Sequence, residues 1–76
     1  MSLHRKVWYK AVEANQIYQS DQKEGEEKFE ELLEKYPDDG MVYYEKAEAY
    51  ETMGLLNIAK KNYSKAYENF PLPHWK

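Results

Sequence analysis

Cysteine is absent from this 76-residue sequence, and so are long apolar runs. Without cysteine the chain can form no disulfide, no thiolate metal site and no cysteine nucleophile. No apolar run approaches the roughly 20 residues that span a bilayer, which excludes a transmembrane helix. The first residues are not followed by an apolar stretch, so we expect no secretory signal. The composition favours a reducing compartment, and we expect a cytoplasmic protein.

An excess of positive charge is also missing, since 11 Lys and Arg stand against 14 Asp and Glu, for a net charge of −3. Nucleic-acid binders usually present a basic face, because phosphate contacts dominate their affinity. The one basic cluster, at residues 4–6, is interpreted as the solvated start of a helix. We therefore expect neither nucleic acid nor a membrane as a partner.

Aromatic residues are plentiful, at 16% of the chain, which favours a folded domain over a disordered one. Glycine and proline number only three each, and they fall where helical patterns end. The apolar spacing predicts four helices, at residues 4–19, 22–36, 39–53 and 56–69, and no strand. The short connections predict that consecutive helices are antiparallel neighbours.

Signals for helix ends support this division. Asp21 can cap the second helix, and Glu24 three residues later can complete a capping box. Either Asp38 or Asp39 can cap the third helix. Gly54 suits the left-handed residue that closes the third helix.

The last three helices each carry a stripe of apolar or small residues at helical spacing. The stripes are Gly25, Phe29, Leu32, Leu33 and Tyr36 in the second helix, Tyr43, Ala47 and Tyr50 in the third, and Ala59, Tyr63, Ala66, Tyr67 and Phe70 in the fourth. We interpret their tyrosines as core residues, with one or two facing a groove.

The helices also repeat in pairs. Pro37 and Pro71 stand 34 residues apart, and at that offset Phe29 aligns with Tyr63. An offset of 35 aligns residues 7–9 with residues 42–44, which places one extra residue in the first turn. The sequence therefore predicts two helix–turn–helix units.

Eight positions of the second unit follow one pattern of aromatic, small and turn-forming residues: Tyr43, Ala47, Tyr50, Gly54, Ala59, Tyr63, Ala66 and Pro71. The pattern resembles that of the tetratricopeptide repeat (TPR) family at every one of these positions. The alanines would let helix backbones approach closely, while the tyrosines fill the gaps between helices. The resemblance implies an all-α fold of two tandem antiparallel helix hairpins, whose four helices form a short right-handed superhelical stack.

The first unit follows the same pattern less closely. It keeps the expected residue types at Trp8, Gly25, Phe29 and Pro37, but Asn15 stands where the family has tyrosine. Terminal repeats are commonly atypical in this way. We expect the second helix to shield Trp8 substantially from water.

Residues 1–76 are interpreted as one domain, with unit one at about 5–37 and unit two at about 38–71. Residues 72–76 would begin a truncated third unit or a cap, and Trp75 could instead fold back onto the last helix. Repeat arrays usually need about three units, or caps, to cover their apolar ends. The chain is therefore either an excerpt of a larger multidomain protein or one that pairs with another copy through uncapped ends.

No arrangement of residues points to catalysis. His4 and His74, the only histidines, stand at opposite ends of the chain. Asp38 and Asp39 are better explained as helix caps than as metal ligands. No glycine-rich phosphate loop is present. We predict a protein that is not an enzyme and holds no cofactor and no metal.

The resemblance further implies that the first helix of each unit lines a concave groove for a peptide of a partner protein. The corresponding positions are Lys6, Tyr9, Glu13 and Gln16 in unit one and Met41, Tyr44, Glu48 and Glu51 in unit two. These could equally be ordinary exposed residues. Because Glu48 and Glu51 would repel a carboxylate, we predict a weak preference for basic or aromatic segments. A homo-oligomer is the alternative partner.

Overall fold

The computed structural model describes residues 3–69, with side chains from Lys6 onward. Its regular structure in that range is entirely helical: α1 (Leu3–Ser20), α2 (Gln22–Lys35), α3 (Gly40–Thr52) and α4 (Leu56–Asn69). The four predicted helices are confirmed, and each end lies within one residue of its predicted position. None of the four helices in this range has the length and apolarity that crossing a membrane requires.

Some expectations concern residues outside the described range. They are the core position of Phe70, the helix stop at Pro71 and the folding back of Trp75. The interpretation of 72–76 as a third unit or cap belongs with them, as do both histidine side chains. These expectations stay predictions.

Asp21 alone separates α1 from α2, and it caps α2 as predicted. Its side chain accepts a hydrogen bond of 3.1 Å from the Glu24 amide. The Asp21 amide, however, donates to the Ile17 carbonyl at 2.7 Å. The predicted capping box is therefore half formed, because the amide that Glu24 would bind still belongs to the last turn of α1.

The start of α3 depends on Asp39 rather than Asp38. Asp39 Oδ1 accepts from the amides of Met41 and Val42 at 2.8 and 3.2 Å. Asp38 instead has a φ of 60°, the left-handed conformation that Asp tolerates better than most residues. The two acidic residues thus divide the work, since one turns the chain after Pro37 and the other caps the helix.

Gly54 closes α3 with a φ of +83°, as predicted. The Leu55 amide donates to the Tyr50 carbonyl and the Gly54 amide to the Glu51 carbonyl, both at 2.9 Å. This pair of bonds is a Schellman motif, which satisfies carbonyls that the end of a helix leaves open. The chain can then reverse into α4 within three residues.

Small residues dominate the contacts between helices. The buried core consists of Val7, Ala11, Ala14, Tyr18, Phe29, Leu32, Val42, Ala47, Ala49, Tyr50, Ala59 and Ala66. The three alanines of the second-unit pattern are therefore all buried, as the sequence predicted. Tyr50 is buried with them, whereas Tyr43 and Tyr63 are half-buried.

The four helices have unequal roles in the packing. Helix α3 contacts α1, α2 and α4, and α1 also packs against α2. Helix α4 contacts α3 alone among the described helices. Tyr67, which its stripe placed in the core, is 59% exposed.

Trp8 also departs from its predicted position. It is 36% exposed, and its indole Nε1 donates to Glu45 on α3 at 3.3 Å, so α3 rather than α2 is its polar partner. The neighbouring Val7 occupies the core instead. Successive helical residues point about 100° apart, so burying Val7 turns Trp8 toward the edge of α1.

Helices α1 and α2 approach each other closely at Gly25. A Cβ atom placed on Gly25 would overlap the backbone and Cβ of Tyr18 on α1. Backbone atoms cannot move aside as the end of a flexible side chain can. The absence of a side chain at residue 25 therefore sets the distance between α1 and α2.

We expect Gly25→Ala to destabilise the fold although alanine is the better helix former. Overpacking costs about 1–3 kcal/mol, whereas replacing a helical glycine with alanine returns about 1 kcal/mol. Because the overlap is with backbone atoms, the cost should lie near the upper end of that range. The net loss should then be about 2 kcal/mol, or about 8–16 °C in melting temperature. Thermal unfolding followed by circular dichroism measures it. Glu27→Ala, at an exposed position of α2, is the matched control. An unchanged or raised melting temperature for Gly25→Ala would contradict this packing.

Candidate functional site

Three glutamates follow one edge of α3 at three-residue spacing, and we call them the acidic strip: Glu45, Glu48 and Glu51. Glu45 is 6% exposed, Glu48 is half-buried and Glu51 is exposed. The strip lies between the α1 side chains that contact Glu45 and the α4 side chain that contacts Glu51. Three negative charges thus share one edge of the central helix.

Glu45 joins α3 to α1 through a polar network. Its Oε2 accepts from Trp8 Nε1 at 3.3 Å, and its Oε1 accepts from Asn15 Nδ2 at 3.2 Å. Asn15 Oδ1 in turn accepts from Gln19 Nε2 at 3.0 Å. A buried carboxylate needs such donors, because an unpaired charge away from water is costly.

Glu48 sits between the other two glutamates, and its pKa is raised from the ordinary value. Partial burial is the main cause, and the charge of Glu45 and a hydrogen bond with Glu45 come next. The charge of Glu51 raises the pKa further, while a hydrogen bond with Tyr44 lowers it. The Glu48 charge also raises the pKa of Tyr44, with burial as the second cause.

Three tyrosines border the strip on the α4 side, and we call them the tyrosine cluster: Tyr44, Tyr63 and Tyr67. The rings of Tyr44 and Tyr63 meet edge to face with centroids 5.6 Å apart. The rings of Tyr63 and Tyr67 lie 18° from parallel with centroids 6.5 Å apart. The Tyr63 hydroxyl donates to Glu51 Oε1 at 2.6 Å, and burial followed by this hydrogen bond raises the Tyr63 pKa.

The α3 half of the predicted groove lies on this surface. Tyr44 and Glu48 are adjacent members of it, and Glu51 is tied to Tyr63. Met41 is half-buried at the start of α3. These four positions therefore share one edge of the helix, as their spacing predicted.

The α1 half of the predicted groove lies elsewhere on its helix. Lys6, Tyr9, Glu13 and Gln16 are all exposed. Tyr9 packs on Trp8 with ring centroids 5.3 Å apart, and Glu13 lines a cleft between α1 and α2. The α1 side chains that reach the strip are Trp8 and Asn15. Sequence reasoning did not select these two or Glu45, although Asn15 in place of the expected tyrosine was a visible signal.

The carboxylates of the strip are not arranged as a metal site. Within the described residues, no group of three or more His, Cys, Asp or Glu is placed to hold a metal ion. What the surface offers is negative charge beside aromatic rings. Such a combination suits cationic or aromatic groups of a partner.

No family model, curated protein or solved structure matches this chain. What the surface binds therefore has to follow from its own residues. The charges of the strip and the rings beside it are the features that bear on binding.

We expect Glu45→Leu to destabilise the protein by about 1–3 kcal/mol, because the Trp8 and Asn15 donors lose their acceptor. In a chain that also carries Asn15→Leu, the cost should be less than the sum of the two single losses, since one orphaned donor has gone. Urea unfolding of the three variants measures this. Glu34→Leu, at an exposed position of α2, is the control. Strictly additive losses would show that the network does not couple the two helices.

We expect Glu48→Gln to raise stability at pH 7 by about 0.5–1 kcal/mol, since each like-charge neighbour on a helix costs about 0.2–0.5 kcal/mol. A raised pKa means that the folded protein binds this proton more tightly than the unfolded chain does. The stability from protonated Glu48 is therefore full below the unfolded pKa of about 4.3 and is lost as the pH rises through the folded pKa.

The advantage of Glu48→Gln should accordingly shrink as the pH falls from 8 to 4.5, because the parent protein gains the proton that the variant does not need. Urea unfolding at several pH values measures this difference. Glu68→Gln, at an exposed position of α4, controls for the loss of one negative charge. An advantage for Glu48→Gln that grows on acidification would contradict the assignment.

Proposed function

We propose that this chain is a protein-interaction module without catalytic activity, which binds a segment of a partner protein along the acidic strip. The module is a pair of TPR-like helix hairpins in a short right-handed stack. The single observation that carries the proposed binding is the acidic strip itself, placed between Trp8 on one side and the tyrosine cluster on the other.

Contacts between helices support the hairpin arrangement. Helix α1 packs against α2, α3 packs against α4, and α1 meets α3 across the two pairs. Glu51 near the end of α3 pairs with Tyr63, whereas Tyr43 near its start lies under Lys65, with Nζ 5.6 Å from the ring centroid. These contacts hold α4 against α3 along much of the length of α3, and the three-residue turn between the two helices favours an antiparallel pair.

The small-residue pattern supports the same proposal. Ala47, Ala59 and Ala66 are buried between helices, and Gly54 has the left-handed conformation that the turn of a TPR-like unit needs. These positions follow the family pattern and have the physical roles that it implies. Their agreement favours a TPR-like hairpin over an unrelated helix pair.

The charge of the strip defines the kind of partner. Three carboxylates on one edge of a helix attract Lys and Arg and repel acidic tails, and the protein as a whole carries a net charge of −3. Half-buried Tyr44 and exposed Trp8 add flat surfaces on which an extended segment can pack. A basic segment with aromatic residues fits best.

Self-assembly is a second candidate, and the exposed apolar side chains favour it. Large examples are concentrated in the turn after α3 and along α4: Met53, Leu55, Leu56, Ile58 and Tyr67. Exposed apolar patches mark interaction sites. A dimer whose population rises with concentration in sedimentation would favour this candidate, whereas a monomer at all concentrations would favour the peptide binder.

We expect a 12-residue Lys/Arg-rich peptide to bind at least about ten-fold more tightly at low salt than an otherwise identical Asp/Glu-rich peptide, because the strip attracts one and repels the other. Trp75→Phe leaves Trp8 as the one tryptophan, so its fluorescence reports on the edge of the strip. Titration of this variant gives both affinities.

Glu48→Lys should weaken binding of the basic peptide more than Glu34→Lys does. Both substitutions change the net charge equally, but Glu34 lies on α2, outside the strip. If Glu48→Lys and Glu34→Lys weaken binding equally, the net charge of the protein explains the attraction and the acidic strip has no special role. A higher affinity for the Asp/Glu-rich peptide than for the Lys/Arg-rich peptide would overturn the proposal.

A further inference from the structure

A cleft of about 310 Å³ opens between the end of α3 and the exposed side of α4. Its lining includes Glu51 from α3 and Leu56, Tyr63 and Tyr67 from α4, with Ala59 buried beneath. Ligand pockets usually measure about 300–1,000 Å³. A cleft at the lower limit is large enough for one long side chain but too small for most complete cofactors.

The carboxylate of Glu51 gives the cleft its charge. Its contact with the Tyr63 hydroxyl, at 2.6 Å, involves a neutral donor, so that contact does not neutralise it. A carboxylate has about four acceptor sites, which leaves room for further donors. Glu51 also stands in the last turn of α3, where the carbonyls of the helix end add negative potential.

The tyrosine rings give the cleft its shape. Tyr63 and Tyr67 are one turn apart on α4, and their rings lie 18° from parallel at 6.5 Å between centroids. The hydrogen bond to Glu51 fixes the Tyr63 ring beside the carboxylate. The faces of aromatic rings attract cations, and the edge of a carboxylate accepts two parallel N–H bonds from a guanidinium group.

We propose that this cleft binds one arginine side chain of a partner polypeptide. The guanidinium group stacks on the tyrosine faces and donates to the Glu51 carboxylate, while its methylene stem packs on Leu56. Arginine fits better than lysine, because its flat group can stack and donate two parallel bonds at once. This inference deepens and rests on the proposed function, since it assigns a specific residue to the basic segment.

Lys60 lines the same cleft and provides an internal check. Its ammonium group competes with an incoming cation for the same negative potential, and its side chain is exposed and flexible. Removing the Lys60 charge should therefore strengthen the binding of arginine if arginine binds in this cleft. If arginine binds elsewhere on the protein, removing the Lys60 charge should leave its affinity unchanged. Lys61→Gln is the matched control, as an exposed neighbour outside the cleft lining.

The experiment is an NMR titration of the whole chain with N-acetyl-arginine amide, followed through its backbone amides and tyrosine rings. We expect shifts concentrated at Glu51, Tyr63 and Tyr67. The neutral analogue N-acetyl-citrulline amide should produce none, and N-acetyl-lysine amide should bind at least three-fold more weakly. Glu51→Gln and Tyr67→Leu should each weaken binding by about three-fold to ten-fold. Lys60→Gln should strengthen it, and Lys61→Gln should leave it unchanged.

Each other outcome overturns the assignment. If the lysine and citrulline analogues bind as tightly as N-acetyl-arginine amide, the site has no preference for a guanidinium group. Shifts at the cleft that appear on raising the protein concentration alone would assign it to a second copy of the chain. Circular dichroism of every variant establishes that lost binding is not lost folding.

Failure of this inference differs from failure of the proposed function. Suppose that a Lys/Arg-rich peptide binds and that Glu48→Lys weakens its binding, while Glu51→Gln and Tyr67→Leu do not. The assignment of an arginine to the cleft is then wrong, and the proposed function stands. If N-acetyl-arginine amide binds the cleft but no basic peptide binds the chain, the cleft does bind a guanidinium group and the proposed function is wrong.

Discussion

Close approach between helix backbones is the constraint on which the rest of this fold depends. Gly25 rests against the backbone of Tyr18, and alanines make up six of the twelve buried apolar residues in the described range. Spaces this narrow hold few large rings, so several of the tyrosines lie along the edges of the helices. At such an edge half-buried Tyr63 donates its hydroxyl to Glu51 at 2.6 Å. Buried Tyr50 likewise donates to Glu26 at 2.6 Å, so its ring lies in the core while its hydroxyl reaches a carboxylate. Because small residues fill the narrow interfaces between helices, several aromatic rings lie at the protein surface beside glutamates.

The acidic strip follows from the central place of α3. A helix that contacts three others has one open edge left, and on α3 that edge carries carboxylates three residues apart. Burial and mutual repulsion make this arrangement unfavourable, as the raised pKa of Glu48 records. Glu45 is stabilised by donors from α1, but Glu48 has like charges on both sides. Local conflicts of this kind are expected where a surface serves binding rather than stability.

Sequence reasoning succeeded where the determinants are local. Helix ends depend on residues a few positions apart, so the cap at Asp21 and the turn at Gly54 could be predicted directly, and the cap of α3 could be narrowed to Asp38 or Asp39. Spacing alone fixes one face of a helix, so Tyr44, Glu48 and Glu51 could be assigned to one face of α3, and their role in binding a partner stays a prediction. The rotation of α1 could not, since either Val7 or Trp8 could have entered the core and tertiary packing chose Val7. The bond between Asn15 and Glu45 joins residues 30 positions apart, and no local rule finds it.

Among the helices that the structure describes, α4 is attached to α3 alone, and this has a consequence for motion. An element held by one neighbour can detach while the other three helices keep their mutual contacts, so we expect α4 to open at a smaller cost in free energy than the whole domain. Its amides would exchange with solvent through that partial opening rather than through global unfolding. Tyr63 and Tyr67 travel with it, and so does their contact with the end of α3. A ligand that contacts both α3 and α4 at that end would therefore oppose the opening of α4 and slow the exchange of its amides.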